Sequence, residues 1–187
     1  EVRQRPQVGG GLDPNIEAIV ALRPDVVLLA TSARAAPRLR ALGLRVVALE
    51  PRTRAELSSV VQRVAQVLQV DGADALLGRI DAGVAAAAQS LPPAARGARV
   101  YFEVSPAPYA AGRASFIGET LQALGLDNIV GAQEGAFPKI NPEWVVRAAP
   151  DLIMAGEQSA AEMPRRPGWA RLRAISEGRV CVFSADE

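Results

Sequence analysis

Asn15-Ile16-Glu17-Ala18-Ile19-Val20-Ala21-Leu22-Arg23-Pro24-Asp25-Val26-Val27-Leu28 returns later in the chain as Asn141-Pro142-Glu143-Trp144-Val145-Val146-Arg147-Ala148-Ala149-Pro150-Asp151-Leu152-Ile153-Met154. Asn, Glu, Val, Pro and Asp recur at the same offsets. Each copy reads as helix, break, strand. Asn15 and Asn141 are N-cap residues, Pro142 suits a first helical position, and the apolar spacing that follows buries one helix face. Pro24 and Pro150 stop the helix, because the residue before a proline is pushed out of the α region. Residues 25–30 and 151–155 are short, continuous apolar runs, the pattern of strands buried on both faces of a parallel sheet.

Working outward, a second pair of matches follows each copy. Arg38-Leu39-Arg40-Ala41 precedes the strand-like Arg45-Val46-Val47-Ala48-Leu49, and Arg171-Leu172-Arg173-Ala174 precedes Arg179-Val180-Cys181-Val182-Phe183. Helix and strand alternate in both halves, so the fold class is α/β, with two lobes of parallel sheet flanked by helices. Between them, residues 54–91 carry helical spacing through Leu57, Val60, Val61, Val64 and Leu68 and, after a break near Asp71-Gly72, through Leu76, Leu77, Ile80 and Val84. This predicts a short helix and then one of about 18 residues, some 27 Å long, as a backbone helix joining the lobes. The expected division is 1–53 for a partial first lobe, 54–93 for the linking helices and 94–187 for the second lobe. The second lobe opens with a strand at 99–104, turns through Ser105-Pro106-Ala107-Pro108-Tyr109 and forms a helix over 115–124 that Gly125 ends. A short strand at 128–130 leads into the loop 131–139, and both loops fall at strand C-terminal ends, where open α/β sheets bind ligands.

Composition excludes several functions. Twenty-one basic against 20 acidic residues give a formal charge of +1, which leaves no electrostatic footprint for nucleic acid or an anionic membrane surface. The chain has no histidine, which removes Ser-His-Asp and Cys-His catalysis and the commonest metal ligand. Cys181 is the only cysteine, so no internal disulfide forms; inside a buried strand its thiol would be inert. Gly9-Gly10-Gly11 lacks the Gly-Lys-Ser/Thr ending of a phosphate loop. No stretch reaches the roughly 18 apolar residues of a membrane span, and the first residues lack a signal-peptide apolar region.

The segments Gly9-Gly10-Gly11-Leu12-Asp13-Pro14-Asn15-Ile16-Glu17-Ala18-Ile19, Arg23-Pro24-Asp25, Tyr109-Ala110-Ala111-Gly112, Phe116-Ile117-Gly118-Glu119 and Asn141-Pro142-Glu143 resemble, in order and spacing, the periplasmic solute-binding proteins of ABC importers for cobalamin, iron-siderophores and haem. The likeness is greatest to the cobalamin-binding members. It implies a periplasmic, monomeric, non-enzymatic receptor with no cofactor and no metal of its own. Such a receptor takes a metal chelate, a corrinoid first and a ferric siderophore or haem second, and hands it to the permease subunits of an ABC importer. Proteins of this kind carry a further strand and helix at the front and more helix at the end, so the resemblance implies that this chain is shortened at both ends.

The resemblance also assigns residues. Glu17 and Glu143 match the two glutamates that dock on permease arginines; a carboxylate in a first helical turn would otherwise simply complement the helix dipole. Tyr109 and Phe137 match aromatic ligand contacts, with Arg113 and Lys139 as polar anchors and Gly11 and Leu12 as ligand-facing positions of the first lobe. Trp144 and Trp169, on helical segments, read as packing residues. In a different class stands an α/β enzyme using Asp13, Glu103 or Glu119 as acid or base.

Overall fold

A computed structural model describes residues 5–10 and 13–184. The chain divides into two compact units, Glu1–Pro51 and Arg52–Glu187, so the linking helices group with the second.

In the first unit, α1 (Ile16–Ala21) begins at Asn15, whose side chain accepts a hydrogen bond from the Ala18 N–H at 2.9 Å. It leads to β1 (Val27–Leu29), α2 (Ala36–Ala41) and β2 (Val46–Ala48), and β1 pairs β2 in parallel with Val27 beside Val46. Ile19 and Leu39 are buried against Val27, Leu29 and Val46. Burying a leucine as completely as Leu39 stabilises by about 1.5–3 kcal/mol. The expectation of strands covered on both faces fails for β1. Val27 and Leu29 face the helices, whereas alternation turns Leu28 outward and leaves it exposed.

The second unit starts with α3 (Arg54–Leu68) and α4 (Ala73–Ser90). The helix expected to be short runs 15 residues. It is launched by a pair of bonds resembling a capping box: Thr53 Oγ1 accepts from the Glu56 N–H, and the Glu56 carboxylate reaches back past the cap to accept from the Arg52 N–H. Nothing interrupts it until Gln69 turns left-handed at φ 54°. Neither α3 nor α4 contains a fully buried residue.

Next come β3 (Arg99–Ser105), β4 (Tyr109–Ala110), α5 (Phe116–Ala123), β5 (Asp127–Asn128), α6 (Pro142–Ala148), β6 (Leu152–Gly156), α7 (Glu157–Glu162), α8 (Arg173–Ser176) and β7 (Val180–Phe183). The sheet runs β4-β3-β6-β7, with β5 on the same edge of β3 as β4. All pairings are parallel except β3 with β4, which is antiparallel because only a tight turn separates them. On one face Tyr101 and Ile153 pack with Val145, Met163, Trp169 and Leu172 into the main core. On the other, Phe102 stacks on Phe183 at 5.7 Å between ring centroids.

One expectation is corrected here: Cys181, read as buried, is exposed. It sits in β7, which ends the strand order, and Val182 beside it is exposed too.

The repeat survives as geometry. Asn141 caps α6 by accepting from the Glu143 N–H at 2.9 Å, as Asn15 caps α1. The residues just before the two prolines, Arg23 and Ala149, both have positive φ, 46° and 45°. Each copy therefore leaves its helix through the same left-handed step.

Candidate functional site

Two loops meet beyond the C-terminal ends of β3 and β5. The Ala110 N–H donates to the Pro138 carbonyl, Ile140 N–H to Pro108, and Gly112 N–H to Ala136, at 2.9–3.0 Å, and the backbone of Tyr109 bridges that of Lys139. These bonds stitch the segment carrying Tyr109 to the segment carrying Phe137. Both residues are exposed, 42% and 50%, and the stitched backbone holds these two aromatics on adjoining segments. Lys139, two residues after Phe137 and bridged by its backbone to Tyr109, is exposed and has no ion-pair partner among the described residues.

Close approach makes this junction possible. A Cβ on Gly112 would meet the Gly135 carbonyl oxygen at 2.2 Å, and one on Gly118 would meet the Gly112 oxygen at 2.1 Å. Only glycine lets the loops and the first turn of α5 touch there. Ser115 completes the arrangement, its hydroxyl donating to the Gly112 carbonyl at 2.7 Å and accepting from the Gly118 N–H at 3.0 Å.

Arg113, expected as a polar anchor, is engaged within the chain. Its Nε donates to the Asn128 carbonyl at 2.9 Å and its guanidinium pairs with Asp127. Asp127 and Asn128 sit beside Arg99 and Val100, the first residues of β3. Arg113 thus reaches back along the sheet and ties the loop to β5. Gly11 and Leu12 lie outside the described residues. Gly10 is exposed.

Glu17 and Glu143 each stand two residues after a capping asparagine, in the first turn of α1 and α6, and both are exposed. Glu17 shares its charge with Arg38 Nη2 at 3.4 Å, an exposed pair of small energetic weight. Glu143 has no ion-pair partner among the described residues. Trp169 is fully buried, and its indole N–H donates to the Pro142 carbonyl at 3.2 Å, fixing the start of α6.

Sequence reasoning missed a buried ionic group. Glu103, 1% exposed, is held by both η nitrogens of Arg166 at 2.6 and 2.8 Å and accepts from the Tyr101 hydroxyl at 3.2 Å. The Arg166 guanidinium lies 4.7 Å from the Trp169 ring centre. Burial pushes the Tyr101 hydroxyl well above its ordinary value of 10.0, and the neighbouring carboxylate adds to the shift. The hydrogen bonds to Glu103 raise Arg166 further, so its charge is permanent. Only the inward register of Glu103 beside Tyr101 hinted at this group; the choice of Arg166 as partner, 63 residues away, left no local signal. Glu119 is engaged as well, accepting from the Arg54 N–H at 2.6 Å. Among the described residues no group of three or more Cys, Asp or Glu is placed to hold a metal ion, and no helix is long and apolar enough to cross a membrane.

An α/β unit whose loops present two bare aromatics and a lysine beyond the strand ends has the features of a binding module. The sequence signature described as periplasmic binding protein matches residues 1–187, and the chain belongs to that family. A protein named cobalamin-binding protein from Halobacterium salinarum (strain ATCC 29341 / DSM 671 / R1) is 32% identical over 165 residues, covering 82% of this chain and 44% of its own length. The ABC transporter substrate-binding lipoprotein YvrC of Bacillus subtilis (strain 168), named as uncharacterized, is 25% identical over 200 residues, covering all of this chain and 62% of its own. The chain thus spans about half the length of these relatives. Among solved structures, a periplasmic haem-binding protein from Pseudomonas aeruginosa superposes with a TM-score of 0.79 at 23% identity, covering 98% of this chain and 71% of that one.

Proposed function

We propose that this chain is the cargo-binding part of an ABC importer's periplasmic receptor, that its cargo is a corrinoid, and that it docks on the permease through Glu17 and Glu143. The observation that carries the reading is the pair of exposed rings, Tyr109 and Phe137, on backbone segments locked to each other by hydrogen bonds. A bulky chelate offers flat apolar faces with polar groups at its rim. Exposed aromatic rings suit the faces and Lys139 suits an amide or phosphate at the rim. The identity to the cobalamin-binding relative, above 30%, supports a corrinoid over other chelates. Glu103 and Glu119 are both committed to internal partners, so the reading assigns no catalytic residue.

Absorbance or calorimetric titration with cyanocobalamin tests the cargo: saturable binding is expected, and its absence together with binding of haemin or a ferric siderophore overturns the corrinoid reading. Haem is the second reading, on one observation: the exposed phenol of Tyr109 is an oxygen donor of the kind that ligates ferric haem. A red-shifted charge-transfer band lost in Tyr109→Phe would favour it.

A further inference from the structure

The chain passes into the second unit through Arg52, Thr53 and Arg54, and this short link is held by two carboxylates. Glu56, from within α3, accepts from the Arg52 N–H at 2.7 Å. The other comes from a different element: Glu119, in the first turn of α5, accepts from the Arg54 N–H at 2.6 Å. An N-terminal helix amide has no partner inside its own helix, so α3 is capped in part by α5. The same turn of α5 rests on Gly112 through Ser115 and Gly118, and Gly112 is bonded in turn to Ala136, next to Phe137. Packed backbone and short hydrogen bonds thus run without a gap from the two aromatic loops to the first amide of α3.

We propose that Glu119 is a positioning residue that ties the link between the two units to the Tyr109 and Phe137 loops, so that whatever seats on the loops is felt at the link. The part concerning cargo rests on the receptor reading above; the tie itself does not. A carboxylate from α5 makes the direction of α3 depend on where α5 lies, and α5 is seated directly on Gly112, bonded to it through Ser115 and packed so closely at Gly118 that a Cβ would not fit. Glu56 and Thr53, by contrast, cap α3 from within and transmit nothing from the loops.

Amide exchange measured by NMR on the ligand-free protein decides the matter. In Glu119→Ala the Arg54 amide is expected to exchange about ten-fold faster, as a charge-assisted hydrogen bond is lost, and the Gly112 amide to speed up with it, since coupling acts in both directions. Glu119→Gln, whose side-chain oxygen still accepts, should restore both. Thr53→Ala should speed the Glu56 amide and leave Gly112 unchanged. An unchanged Gly112 in Glu119→Ala, or an equal response of Gly112 to Thr53→Ala, overturns the proposal, because the effect would be absent or merely general loosening. With cyanocobalamin added, the Arg54 amide should slow in the parent protein and not in Glu119→Ala. Equal slowing in both overturns the tie. Failure of the parent to bind cyanocobalamin counts against the corrinoid reading alone, and the ligand-free comparisons still decide the role of Glu119.

Discussion

Glu103 owes its place in the core to Arg166, which meets both of its carboxylate oxygens while remaining 14% exposed itself. Removing one member of such a pair strands the other charge in an apolar setting. Arg166→Met is therefore expected to lower unfolding free energy by about 3–5 kcal/mol in urea titrations, and a second change, Glu103→Gln, should recover part of it. Tyr101 adds a pH signature. Its folded-state pKa lies above the unfolded value of 10.0, so its contribution to stability is complete below that value and is lost as pH rises beyond it. Thermal melts between about pH 9 and 11 should fall with pH and flatten in Tyr101→Phe. At the loops, Tyr109→Ala and Phe137→Ala should each weaken cyanocobalamin binding by about three- to ten-fold in calorimetry. Arg113→Ala should leave binding nearly intact, because Arg113 serves Asp127 and Asn128.

At the scale of elements, the two helix starts were legible because a capping asparagine works through a local bond that the sequence displays. The helix exits were legible only as breaks. Pro24 and Pro150 announce that a helix ends, while the left-handed step at Arg23 and Ala149 is imposed by how each chain must turn into its strand. Ala149 pays for its Cβ there, so Ala149→Gly should raise stability by about 1 kcal/mol in urea titrations, the relief of a left-handed side chain outweighing the added chain entropy. The strand runs were readable as strands but not as edge or centre: an apolar run such as Val180 to Phe183 looks the same whether one face or two are covered, and the outward turn of Cys181 and Leu28 follows from partners elsewhere in the fold. The length of α3 was underestimated for a similar reason, since its stop is a conformation of Gln69 and not a breaker residue.

Across the whole molecule, the repeat predicted two α/β units with equivalent acids, and the structure places Glu17 and Glu143 at the same step of equivalent helices. On the proposed docking, two weak ion pairs offered by linked bodies would bind a permease better than either alone, since the second would form at high effective concentration. The double reversal Glu17→Lys with Glu143→Lys should cut corrinoid uptake by cells more than about ten-fold while calorimetric binding of cyanocobalamin stays unchanged. Loss of binding instead would mean that the acids serve the cargo. Glu143 is expected to matter more singly, because Glu17 must first give up Arg38. What the sequence alone could not supply was the joinery: the close contact of Gly112 with Gly135 and the crossing of Glu119 to Arg54, 65 positions apart, rest on backbone positions that no residue pattern spells out.

The outward-facing sulfur of β7 has a practical side. Because Cys181 is the chain's only thiol and is exposed, a maleimide dye, spin label or surface linker will attach at one known point, giving a uniformly tagged sample without any substitution. The position lies on an edge strand of the second unit and belongs to neither of the aromatic loops, so the tag leaves Tyr109 and Phe137 themselves untouched.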